Sequence, residues 1–159
     1  MITPDGTFDW MKKMPGPLGK VWLARNLNDG VVFHSAVGSL EGVVQVVMGT
    51  AKASVTGVIG YQGEAVQFYP VSASPWANGS RVANTRFLGF EFEGGRDVPG
   101  EVDERLTEQQ IDRAVRILKD LSHYKGVGYG FWQREVSLWE HNEMTRFGAD
   151  PTACPTGRS

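Results

Sequence analysis

The sequence predicts an α/β domain, a central mixed β-sheet flanked by helices, and three observations carry that expectation. Short runs rich in Val, Ile and Phe recur between turns containing Gly, Asn and Asp, as buried strands do. Two other segments place apolar residues at helical spacing behind an N-cap residue. The composition, 159 residues with 41% hydrophobic and 21% charged, is that of one ordinary globular domain.

Residues 1–18, rich in Met, Gly and Pro, read as an irregular lead-in, and 19–159 as a single domain. A short strand is expected over 20–25 (KVWLAR). After the Asn28-Asp29-Gly30 turn comes a better one, 31–33, which ends on His34. Ser39 then caps a helix whose apolar face is Leu40, Val43, Val44, Val47 and Met48, at i, i+3, i+4, i+7 and i+8. Strands at 55–60 and 65–69 form a hairpin through Gln62-Gly63, and 72–84 is a polar loop carrying Trp76. In 87–93 (FLGFEFE) large apolar groups alternate with Leu88, Gly89 and two carboxylates, giving a strand with acids on one side. Thr107-Glu108-Gln109-Gln110 is a capping box opening a helix with the stripe Ile111, Ala114, Val115, Leu118 and Leu121, which stops near Gly126. A Gly- and aromatic-rich stretch, 126–132, precedes a last strand at 136–139. The remainder, 142–159, is expected as loop broken by Pro151 and Pro155.

Charge and cysteine usage narrow the function classes. With 16 basic and 18 acidic side chains the net charge is −2, and no run of Lys or Arg offers a footprint for nucleic acid or an anionic lipid surface. No apolar stretch approaches the roughly 20 residues of a membrane helix, and the opening MITPDGTFDWMKKM lacks the continuous apolar core of a secretory signal. The expectation is a monomer that binds neither nucleic acid nor membrane and stays in the cytoplasm unless another agent releases it. The lone Cys154 excludes an internal disulfide.

Cys154 and two of the three histidines raise a second possibility. His34 and His141 lie at or just past strand ends, and strand ends on one sheet edge converge, so both can meet Cys154 from the C-terminal loop. Two imidazoles and a thiolate suit zinc, whose catalytic sites keep three protein ligands and an open position. The alternative reading is two satisfied edge histidines and a small loop thiol. His123, at the end of the long helix, reads as a solvent-facing partner of the helix dipole.

Several separated pieces fall in a familiar order: VVFHSA (31–36), ASVTGVIGYQGEAVQ (53–67), PWANG (75–79), NTRFLGFEFEG (84–94), LTEQQ (106–110), EHNEM (140–144) and TACPTG (152–157). Over roughly residues 30–157 the chain resembles the type-2 zinc-dependent N-acetylmuramoyl-L-alanine amidases, a family of phage endolysins, recycling amidases and peptidoglycan recognition proteins. The resemblance implies hydrolysis of the amide between N-acetylmuramic acid and L-alanine in peptidoglycan, with a phage-type endolysin as the leading role. A non-catalytic peptidoglycan-binding module and a recycling amidase acting on soluble muropeptides are the alternatives. It implies His34, His141 and Cys154 as zinc ligands, with Asp150 the competing anion. It makes Glu91 the carboxylate that moves protons, with Glu93 a substitute two residues on, and Thr152 the donor to a developing oxyanion. Trp76, Asn78 and Asn84 are expected on the substrate groove. Two departures stand out: Thr56-Gly57 occupy places where many relatives carry a tyrosine, and Ala77 stands where many have histidine. The segment 126–139 has no family counterpart and is expected as an added groove wall.

Overall fold

The computed structural model describes residues 1–94 and 105–154. A six-stranded mixed sheet runs in the spatial order β1 (Lys12–Lys13), β5 (Ala65–Gln67), β4 (Gly57–Ile59), β7 (Phe87–Phe92), β3 (Gly30–Ser35) and β8 (Leu138–Glu140). The four strands β4, β7, β3 and β8 are mutually parallel, and β5 turns back antiparallel on β4 through the expected hairpin. Parallel strands need crossovers that cover both sheet faces, which is why β3 and β7 are apolar along nearly their whole length.

The two faces bury different cores. On one, Phe90, Phe92, Leu88, Val31 and Ile59 pack under α3 (Glu108–Lys125), which contributes Ala114, Ile117 and Leu121. Thr107 opens α3 with the reciprocal capping box the sequence predicts, and Gly126, at φ +67°, ends it. The opposite face is covered in two parts. Val47 and neighbours of α1 (Leu40–Met48) lie over Val58 and Val66, while Ala83 of α2 (Arg81–Arg86) joins Val32, Phe87, Trp139 and Met144. The seam between these two parts lies over the C-terminal ends of β3 and β7.

Several expectations are corrected. The strand expected over 20–25 is a 3-10 turn, Leu18–Lys20, followed by β2 (Val21–Trp22), which pairs with β6 (Ser74–Pro75) outside the main sheet. Lys20 is buried there, and its ammonium donates to the carbonyls of Val46, Val47 and Ala53, closing the end of α1. The loop expected over 72–84 contains the start of α2, whose signal was Ser80: its Oγ accepts the Ala83 N–H as an N-cap. On α3, Ile111 and Val115 are 48% and 58% exposed, because the inward positions are Gln110, Ala114, Ile117 and Leu121. Gln110 takes its inward place by donating from Nε2 to the Glu93 carbonyl. The expected C-terminal loop begins with a 3-10 turn, His141–Phe147, and 155–159 lie outside the described residues. The stretch 126–139, expected as a groove wall, divides between the two faces: Trp132 packs on the α3 core with its Nε1 donating to Ser122, while Trp139 at its end is buried in the core of the opposite face. His123 is exposed, as its position at the end of α3 suggests.

Residues 1–18 form little regular structure, but they belong to the main core. Phe8 is fully buried against Trp10 and Phe90, and its N–H donates to Gln67 Oε1. Among the described residues no helix is long and apolar enough to cross a membrane. Phe8→Ala is expected to cost about 3–5 kcal/mol, the range for emptying a buried aromatic site, read as a lower urea midpoint at unchanged slope; a dispensable lead-in would lose less than about 1 kcal/mol.

Candidate metal centre

Three pieces of chain meet at the seam. Parallel register places His34 of β3 beside Glu91 of β7, and register partners in a sheet present their side chains on the same face. β8 ends at Glu140, and His141 follows as the first residue of the 3-10 turn. The chain then returns: Asn142 N–H donates to the Cys154 carbonyl (2.8 Å), and Ser35 N–H donates to Cys154 Sγ (3.3 Å). His34, His141 and Cys154 each offer one ligand atom, and these atoms lie within 4.8 Å of one another. The two imidazole centroids are 4.4 Å apart. Asp150 is exposed and outside the cluster.

Burial sets the protonation of this cluster. It pushes His34 down to about 3, with the neighbouring His141 acting in the same direction, and it lowers His141 as well, so both rings are neutral and carry lone pairs. The Cys154 thiol is pushed up to about 11, by burial first and then by the negative fields of Glu91 and Glu140, against the opposing Ser35 hydrogen bond. Glu91 is pushed up to about 7 by burial alone. Its Oε2 is buried without a hydrogen-bond partner among the described residues, and its Oε1 lies 4.0 Å from His34 Nδ1. Two neutral imidazoles and a thiol with no cationic partner among the described residues form a donor set that a dication would complete, with the Glu91 carboxyl beside it.

The other expected site residues divide. Thr152 Oγ1 accepts the Cys154 N–H (3.2 Å), a bond that leaves its own proton free to donate. Glu93 is committed elsewhere: its two oxygens accept the N–H groups of Leu40 and Tyr61, tying the start of α1 to the hairpin. Trp76 lies against Trp22, ring centroids 6.1 Å apart and planes tilted by 57°, with the Arg81 guanidinium over Trp22. These three with Lys52 and Gly79 border a cleft of about 270 Å³. A Cβ placed on Gly79 would stand 3.5 Å from His141 Nε2, so the cleft adjoins the cluster. Asn78 is no groove residue: it is fully buried and its Oδ1 meets His34 Nε2 at 2.9 Å. Asn84 reaches only the cleft floor, because its Oδ1 is turned inward to accept the Asn78 N–H. Gly57, one of the two residues noted above as a departure from the family pattern, has room for no side chain. An added Cβ would meet Met11 and the Val66 carbonyl on the α3 face, so a tyrosine there would point away from the cluster.

The sequence model of the Amidase_2 family, described as N-acetylmuramoyl-L-alanine amidase, matches residues 24–157. The chain belongs to this amidase family. No curated protein matches it. Among solved structures it is similar to the Staphylococcus aureus hydrolase AmiA in complex with its ligand, with TM-score 0.70 and 14% identity over 92% of this chain and 73% of that one. PlyL gives TM-score 0.66 and 13% identity over 91% and 86%. The endolysin amidase LysCS from Clostridium intestinale gives TM-score 0.59 and 14% identity over 94% and 89%. At such identities these likenesses show the fold, a single domain with the same mixed sheet.

In this amidase-family domain the sequence does not disclose the buried roles of two positions near the cluster. Asn78 sits in a polar loop motif, PWANG, that gives no hint of burial. Gly89 lies in a strand where glycine is costly, and that cost was the available signal. A Cβ on Gly89 would lie 2.5 Å from Ala77 Cβ and 3.0 Å from Asn78 Oδ1. Gly89→Ala is therefore expected to lower stability by about 1–3 kcal/mol through overpacking, measured by chemical denaturation; an unchanged midpoint would show that the 75–79 loop does not need its seat on β7.

Proposed function

We propose that this chain is a zinc-dependent N-acetylmuramoyl-L-alanine amidase acting on peptidoglycan in the manner of a phage endolysin, made in the host cytoplasm and released to the wall. The observation that carries the zinc reading is the convergence of His34, His141 and Cys154. Thiolate plus imidazole is a zinc donor set, and neutral rings are the form a metal requires. Bound by these three, zinc would supply a Lewis acid for the amide carbonyl and for the attacking water. The endolysin role is supported by likeness to LysCS, whose description names it an endolysin.

The residues around the cluster divide the remaining work. Glu91, held near neutrality, takes a proton from the water on its unpartnered Oε2 and passes it to the departing nitrogen of L-alanine. The carbon–nitrogen bond breaks, leaving a lactyl carboxylate on the sugar and a free amine on the peptide. Thr152 donates a hydrogen bond from its hydroxyl to the oxygen that gains charge during attack. Trp76 and Trp22 offer ring faces, and Lys52 and Arg81 offer positive charge, to the substrate beyond the scissile bond.

Purified protein incubated with isolated sacculi is expected to expose new N-terminal alanine, with one zinc per chain, loss of activity on chelation and recovery on adding zinc. Cys154→Ser should lose the metal. Glu91→Gln should keep it and lose about 10²–10⁴-fold in kcat. Zinc binding without alanine release by the native chain would leave a wall-binding module, and activity on soluble muropeptides but not sacculi would replace the endolysin role with recycling. Trp22→Ala is expected to raise KM about 2–10-fold at constant kcat, the worth of one aromatic contact; an unchanged KM would remove the cleft from the substrate path.

A further inference from the structure

We infer that Asn78 is a positioning residue that fixes His34 as its Nε2–H tautomer and so leaves Nδ1 as the imidazole's only lone-pair donor. The consequence for metal affinity rests on the zinc reading above, but the tautomer is a property of the metal-free chain. The argument begins with the amide itself. Asn78 is fully buried, so water does not complete its hydrogen bonds. Its Nδ2 faces the carbonyls of Phe87 (3.0 Å) and Ala83 (3.4 Å), both acceptors only, which fixes the amide with nitrogen toward them and oxygen toward His34.

An amide oxygen only accepts, so the 2.9 Å contact with His34 Nε2 requires a proton on that nitrogen. A neutral imidazole carries one proton, so Nδ1 is bare. Nδ1 is the nitrogen on the Glu91 side, 4.0 Å from its Oε1. The amide has little freedom to move. Its own backbone N–H donates to Asn84 Oδ1 (2.6 Å), and Asn84 is held in α2, its N–H bonded to the Ser80 carbonyl. Asn26 braces the same region by donating from Nδ2 to the carbonyls of Asn84 and Phe87. Gly89 lies beneath the Asn78–His34 bond: a Cβ there would stand 3.0 Å from Asn78 Oδ1 and 3.3 Å from His34 Nε2. Outer partners of this kind orient a ligating histidine and select its metal-binding nitrogen.

Long-range proton–nitrogen NMR on the metal-free protein reads the tautomer directly, and competition with a chelator reads zinc affinity. The native chain should show a protonated Nε2 and a bare Nδ1. Asn78→Asp as the protonated acid, its carbonyl oxygen facing the ring and its hydroxyl donating to the Phe87 carbonyl, should retain that signature and near-native affinity. Asn78→Leu, similar in size but without an acceptor, should show a mixed tautomer and bind zinc about 10–100-fold more weakly. A protonated Nδ1 in the native chain, or native affinity in Asn78→Leu, overturns the assignment. Should Asn78→Leu fail to fold, the native spectrum and Asn78→Asp decide. A native chain with the stated tautomer but no affinity for zinc would sink the zinc reading and leave the role of Asn78 standing.

Discussion

Parallel, in-register pairing of β3 with β7 is the contact on which the rest of the molecule depends. It sets His34 against Glu91 and Val32 against Gly89, so one sheet face carries, side by side, an imidazole, a carboxylate and a gap. The gap at Gly89 admits the 75–79 loop, and that loop delivers Asn78 to the imidazole. β8 joins the other edge of β3 in parallel, and its end starts His141 beside His34. No single side chain organises this cluster. A slip of one residue along β3 would send His34 to the α3 face and dismantle the cluster at once.

The helical covering explains why such polar groups are tolerated inside. α1 and α2 each bury a compact apolar set on the same sheet face, and they part over the strand ends instead of meeting. Burial in the seam favours the neutral forms of both histidines and of Glu91, while the Ser35 N–H holds the Cys154 sulfur at the end of β3. Burial of unpaired polar atoms is destabilising. Here it is concentrated in a place where a dication would satisfy several of them together, and the large cores on both faces carry the cost.

What the sequence disclosed followed from local rules. Strand content around 31–33, 55–60 and 87–93, the Ser39 and Thr107 caps and the hairpin at Gln62-Gly63 are short-range signals, and each stands where the residues placed it. The polar cluster was legible in its residue types and chain order, with the family resemblance choosing among alternatives. What escaped depended on contacts distant in sequence. Asn78 reads as a loop residue until β7 offers it carbonyls to donate to. Ile111 and Val115 read as core until Gln110 is seen to claim the inward turn by bonding to Glu93. Phe8 reads as part of a tail until Gln67, far along the chain, receives its N–H.

The burial of Phe8 beneath α3 has a bearing on synthesis. Its partners Ile117 and Leu121 leave the ribosome long after it does, and Cys154 reaches Ser35 later still. An incomplete nascent chain therefore holds neither the finished core nor the thiol that completes the cluster of the two histidines. Contacts so far apart in sequence slow folding, because the loops between them must close first. A domain built this way completes the cluster of His34, His141 and Cys154 only once the chain has been made through Cys154.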